Sequence, residues 1–263
     1  MENLTIPLIS PLSRKYYAYA CEESGHKHHR GEDIRICLEY VCDQIIYNFV
    51  SVESQNHWSD YDLHDKLKAS KSFLDKRIVN RLIEAKIIGN KAVHTGEEGD
   101  YSEEDINKAI KAIQSFSLEV FYSYFKRNGF DYQQQSWVPT VFSTLPPAYR
   151  VTILEKYYNN CNKSPFVIDK LSKVYLKSGS EKKAREFLLK CCNNKEISID
   201  IYEILDNDIS LLKASLSRLP IASDLETAKE NFNKLLPAIE DNKRDSFVCL
   251  VSMILNGNPP KQN

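Results

Sequence analysis

Three side chains on one helical segment are of types that can move a proton or hold an anion: Lys86, Asn90 and His94. They stand at i, i+4 and i+8, so they share one slowly drifting stripe of a helix. From Lys86 to His94 the rise is roughly 12 Å, too long for one chain to close both ends around a single phosphate. A plainer reading gives Asn90 and His94 to the end of their own helix, where an amide and an imidazole can satisfy open backbone groups. Arg35 and Glu39 form a second pair, one turn apart among apolar residues. They read either as an internal pair that positions the Asn90–His94 end or as an i, i+4 pair worth a few tenths of a kcal/mol.

Two metal readings are weaker. Asp75 with Glu84-Ala85-Lys86 has the residue types of a Mg²⁺-dependent nuclease. That chemistry needs a strand, and the segment has helical period. His26, His28 and His29 with Cys21 lack a second ligand pair at finger-like spacing, so no metal is expected there. No cofactor is expected either: the chain has no glycine-rich phosphate loop, no G-x-S-x-G elbow and no H-E-x-x-H.

The elements that must position these residues read as helices. A first helix is predicted over Leu12–Glu23, ended by Ser24-Gly25, and a basic loop follows over His26–Gly31. From Glu32 the apolar residues Ile34, Cys37, Leu38, Val41, Ile45 and Phe49 recur at steps of three and four, which places them on one face. Ser59 is predicted to cap a helix through Ala69. Asp75 opens the next, which ends at His94 before Thr95–Gly99. Ser102 with Glu103, Glu104 and Asp105 is a helix start, with a capping hydroxyl and acids where the helix dipole favours them. The helix it opens reaches Arg127.

Residues 128–146 break the pattern with Asn128-Gly129, three glutamines and Pro139 and Pro146. Beyond them the chain reads as helix pairs. The pair around Gly179 resembles one unit of a tetratricopeptide-type repeat, although no second copy recurs at a fixed period. The aromatics of this half, Tyr149, Tyr157, Tyr158 and Tyr175 among them, read as core. Its alternating charges, as in Glu181-Lys182-Lys183-Ala184-Arg185-Glu186, read as a solvated face.

Composition narrows the function classes. In 263 residues, 42% are hydrophobic and 27% charged, with only 8 Gly and 10 Pro, which suits a helical globular chain. A formal net charge of −1 excludes a protein held to nucleic acid by overall charge, so any RNA contact needs a local patch. No apolar run reaches the roughly 18 residues of a membrane span. Met1–Arg14 lacks the basic start and apolar stretch of a signal peptide. Seven scattered cysteines without CxxC pairs read as reduced thiols in a cytoplasm.

Two stretches carry a family resemblance together. One is Asp33-Ile34-Arg35-Ile36-Cys37-Leu38-Glu39. The other runs from Leu63 to Ile87-Ile88-Gly89-Asn90-Lys91-Ala92-Val93-His94 and on into the Ser102 helix. Their order resembles the restriction- and phage-defence-associated branch of the HEPN superfamily over about residues 10–127. The resemblance implies a four- or five-helix bundle that often pairs with a second copy. In catalytic members it implies metal-independent RNA cleavage. There the His takes part in proton transfer and an Arg four to six residues before it stabilises the phosphate. Asn90 and His94 match the family's polar residue and His, but Gly89 stands where the Arg belongs. A paired copy bringing Lys86 or Arg81 across would supply a poorer clamp than Arg.

The expectation is therefore an all-α protein: a HEPN-like bundle over 1–130, a linker over 131–147, a domain of antiparallel helix pairs over 148–256 and a tail over 257–263. It is expected to be an interaction or assembly subunit of a prokaryotic defence complex. The bundle would self-associate through the apolar faces of the 32–50 and 102–127 helices, and the second domain would hold a partner protein. The alternative is a metal-independent ribonuclease with His94 and Asn90 at a dimer interface. A third reading is a sensor of a nucleotide or nucleic-acid end.

Overall fold

The structure is a computed structural model that describes residues 6–94, 101–130 and 137–260, the side chain of His94 excepted. The protein is all-α, and among the described residues there are thirteen α-helices and no strand. No helix among them is long and apolar enough to cross a membrane. The chain divides into two compact units. The first takes the described residues up to Ser123 together with those from Arg244 onward, and the second takes Tyr124–Lys243.

The first unit contains α1 (Pro11–Cys21), α2 (Lys27–Gln44), α3 (Val52–Asn56), α4 (Leu63–Ala69) and α5 (Lys76–His94), then α6 (Glu103–Asn128) as far as Ser123. The last helix of the chain, Ser246–Asn256, also belongs to it. α2 is the centre: α1 and α5 both pack along it. Its buried face is Ile34, Cys37, Leu38 and Val41, the face that the periodicity predicts.

Two helix starts differ from the sequence reading. The basic string His26–Arg30 is no loop, because α2 already begins at Lys27. The His26 ring accepts from the backbone N–H of His28 at 3.3 Å, filling the role usually held by Ser, Thr, Asp or Asn. α4 starts at Leu63 and not near Ser59, since the Asp62 carboxylate accepts from the Asp65 N–H at 2.8 Å. The start of α6 is as read. Ser102 Oγ accepts from the Asp105 N–H at 3.2 Å, and the Asp105 carboxylate accepts from the Ser102 N–H at 2.9 Å, a reciprocal capping box.

Arg30 holds three of these ends together. Its Nε donates to the carbonyl of Ala20 in the last turn of α1 at 2.9 Å, and its Nη1 meets Glu103 at the start of α6 at 2.5 Å. Arg14 does the same at the other end of α1. One guanidinium nitrogen donates to the Ile9 carbonyl at 2.8 Å and to that of Ile254 in the chain's last helix at 2.9 Å.

The second unit holds α7 (Val138–Phe142), α8 (Pro147–Asn160), α9 (Pro165–Lys177), α10 (Glu181–Asn193), α11 (Ile199–Ser215) and α12 (Leu225–Leu235); the first unit's closing helix (Ser246–Asn256) is therefore α13. α7 falls in the stretch read as a linker, and its Val138, Val141 and Phe142 are buried. The ring of Phe125 meets Phe130, Phe142 and Tyr157 with centroids 4.5, 5.1 and 5.9 Å away. Tyr149, Tyr157, Tyr158 and Tyr175 are core residues, as read. α9 ends in a full Schellman turn at Gly179, φ 86°, with the Ser180 N–H bonded to the Tyr175 carbonyl. α10 ends the same way on Lys195, φ 59°, where a side chain is strained.

Charge is less well settled around α9. Arg150 of α8 is buried, its Nε meets no acceptor among the described residues, and burial pushes its pKa down to about 10. Lys177 is pushed down to about 8 by burial first and then by Arg150, Lys170 and Lys173. A lysine whose folded pKa is depressed costs stability wherever it is charged in the unfolded chain. The cost is full below the folded value and vanishes as pH rises past the ordinary value near 10.5. Lys177→Met is therefore expected to stabilise the protein by roughly 1–2 kcal/mol at pH 7, after discounting for screening. In urea titrations run from pH 7 to 10.5, that gain should fade above pH 8. A gain that stays constant with pH would exclude the charge as its cause.

Candidate functional site

α5 carries most of the residues singled out above, and it shows three faces. Val79, Leu82, Ala85, Gly89 and Ala92 point into the first unit. One flank carries Lys86 and Asn90. The other carries Arg81, Glu84, Ile88 and Lys91. Arg81 and Asn90 are nine residues apart, which at about 100° per residue puts them half a turn from each other.

Gly89 is the closest crossing of α5 with α2. A Cβ built there would lie 2.8 Å from the Cβ of Arg35 and 3.1 Å from the carbonyl oxygen of Gly31. The opposing glycine is equally crowded, since a Cβ on Gly31 would sit 2.4 Å from that of Ala92. The position where the family pattern has its Arg thus faces the backbone of α2. The glycine there is a packing requirement, and the two helices approach closely because neither carries a side chain at the contact.

Arg35 and Glu39 lie beside this crossing. The backbone of Arg35 packs on Gly89, while its Nε reaches Glu39 at 3.2 Å. The two side chains are 30% and 44% exposed, so the pair is at the surface and not inside the bundle. Lys86 faces the start of α4: the Asp62 carboxyl is held below its ordinary range by the Asp65 N–H first, with the charge of Lys86 adding to it. The amide oxygen of Asn90 is sealed from solvent and accepts no hydrogen bond among the described residues. His94 is the last residue of α5, and its side chain lies outside the described set. Lys86 and Asn90 therefore share a flank, as their spacing required.

The metal readings fare differently from one another. Glu84 and Lys86 diverge, one onto each flank of α5, so the triplet does not converge. His28 and His29 both reach Glu32, each at 3.3 Å, which makes them partners of one carboxylate at the start of α2. Among the described residues no three His, Cys, Asp or Glu side chains gather to hold an ion.

The other flank of α5 borders a feature that the sequence reading missed. A cleft of about 760 Å³ runs between α5 and α6. Its floor is made of small residues, Ala85, Ala109 and Ala112, and Ile87 and Ile88 wall one side. Arg81, Lys91, Lys108 and Lys111 stand around it against only Glu84 and Asp105. Tyr101 closes one end. Its ring lies under the Lys27 ammonium at 4.9 Å, and burial first, then Glu32 and Glu103, raises its hydroxyl pKa. The available signal was the small size of Ala85 on α5 and of Ala109 and Ala112 on α6; periodicity counts them as core, which they are, and is silent on the space their size leaves. The apolar faces of α2 and α6, expected to mediate self-association, are spent inside the unit: Ile34, Leu38, Ile106 and Ile113 are all fully buried.

Comparison with protein-family models, with curated proteins and with solved structures finds no match to this chain.

Proposed function

We propose that this chain is an interaction or assembly subunit of a prokaryotic defence complex, built on a HEPN-like bundle that holds partners and does not cut RNA. The observation that carries this reading is the Gly89 crossing. The motif position that would supply a phosphate-binding Arg is committed to contact with α2, where the Cβ of Arg35 and the Gly31 carbonyl stand against it. Seven free thiols fit a reducing cytoplasm. The second unit, with helix pairs and exposed Ile204 and Leu211 on α11, offers a surface for a protein partner.

One observation favours the ribonuclease alternative. The amide oxygen of Asn90 accepts no hydrogen bond among the described residues, and a buried polar atom left unpaired one turn before the family's His position is a feature found at functional sites. The two readings separate in one assay. Purified protein is incubated with mixed single-stranded RNA and tRNA in EDTA, alone and with its genomic neighbours, beside His94→Ala. The assembly reading expects no cleavage in any combination. EDTA-resistant cleavage abolished by His94→Ala would sink it and make Asn90 and His94 an active site.

A further inference from the structure

The geometry points to the α5–α6 cleft as the seat of an acidic amphipathic helix from a partner protein. The inference rests on the assembly reading and gives it a surface and a partner chemistry.

The shape argues first. Arg81 to Lys91 and Asp105 to Ser115 line it from the two helices, eleven residues each, or about 15 Å of helix on either side. That is room for a helix of about three turns. The short side chains of Ala85, Ala109 and Ala112 are buried and leave a trough between two ridges, so an incoming helix meets the ridges: Ile87, Ile88 and the alkyl stems of the cations. Ile87 stands 47% exposed at the edge, where its burial by an incoming helix would be favourable.

The charge chooses the partner. Four cations surround the cleft against two carboxylates. Two of the cations are already engaged: Lys91 has an interaction of its own, and Lys108 lies 3.0 Å from Glu104 and 3.6 Å from Asp105, which is further occupied in the capping box. Arg81 and Lys111 have no ion pair among the described residues. A second copy of this chain meeting the cleft across a two-fold axis would set like charges against each other. Single-stranded nucleic acid would want stacking platforms along the groove, and this floor is aliphatic. Glutamates flanking an apolar stripe satisfy both the exposed isoleucine wall and the basic rim.

The test uses full-length protein and two synthetic probes, read by fluorescence anisotropy. One is a helical peptide of four turns with leucines on one stripe and glutamates on its flanks. The other carries lysines in place of those glutamates. The glutamate peptide should bind at least tenfold more tightly than the lysine peptide, and less tightly as salt is raised. Arg81→Glu with Lys111→Glu should reverse that preference, and Ile87→Asp should abolish binding. All three positions are exposed or part-exposed, so circular dichroism and the melting temperature should stay at wild-type values. Equal binding of both peptides, or binding of neither, would overturn the inference. So would a charge reversal that changes only the oligomeric state seen by light scattering, which would make the cleft a contact between copies. Cleavage of RNA in the EDTA assay would remove the assembly reading while leaving charge-selective peptide binding intact, so the two can fail separately.

Discussion

Gly89→Arg, the substitution that completes the family's motif, is expected to unfold the first unit or cost it roughly 3 kcal/mol or more, and to yield no nuclease. The new Cβ would fall 2.8 Å from the Cβ of Arg35 and 3.1 Å from a backbone oxygen, and neither is the far end of a flexible side chain. α2 and α5 would have to separate, and the buried faces on both helices would lose contact. Gly89→Ala separates sterics from chemistry. In an unobstructed helix it would gain about 1 kcal/mol from propensity alone, yet here it should be destabilising. Urea unfolding of the wild type and both variants, with the EDTA cleavage assay alongside, checks this. A Gly89→Arg protein with wild-type stability and new EDTA-resistant cleavage would show that position 89 opens onto substrate.

Arg30→Met should cost about 3 kcal/mol, the second-largest effect expected of a single change. The guanidinium is only 4% exposed, and the side chain fastens the end of α1 to the starts of α2 and α6. Methionine keeps much of the volume but leaves the Ala20 carbonyl without its donor, and a lost hydrogen bond to a charged group in a buried place is worth more than a neutral one. Most of the loss should come from that carbonyl. Glu103 is 57% exposed, so Glu103→Gln should cost well under 1 kcal/mol. Chemical denaturation of the two variants gives the ratio directly. Equal losses would place the stabilisation in the ion pair and not in the helix end.

How far the fold could be read depended on whether the deciding interaction was local. α6 was legible from its first turn, because Ser102 and Asp105 bond each other's backbone and nothing distant is involved. The start of α5 at Asp75 was equally local, with its carboxylate accepting from the Arg77 N–H at 2.8 Å. The start of α2 was not legible, since it depends on an imidazole in place of the usual capping side chains. The absence of an Arg at position 89 could be seen in the sequence, but its reason could not. It lies in the backbone of α2, more than fifty residues earlier, and helical periodicity names a face without naming what the face meets. The cleft escaped for the same cause. Ala85, Ala109 and Ala112 are core alanines, as periodicity reads them, and only the two helices set side by side show that their small size leaves a cleft above them. α13 reads as a strongly apolar helix, yet nothing in its eleven residues says that its Ile254 carbonyl will receive Arg14.

That last contact bears on how the protein comes to be made. The bundle needs α13, and the ribosome delivers it only after about 120 further residues of Tyr124–Lys243. At ordinary rates of translation the nascent bundle waits on the order of ten seconds with its closing helix unborn. Throughout that interval Phe121, which meets Phe247 of α13 at 5.9 Å, lacks this partner. The second unit, contiguous in sequence, can mature meanwhile. The order of folding is therefore set against the order of the text: the stretch that emerges first is completed last.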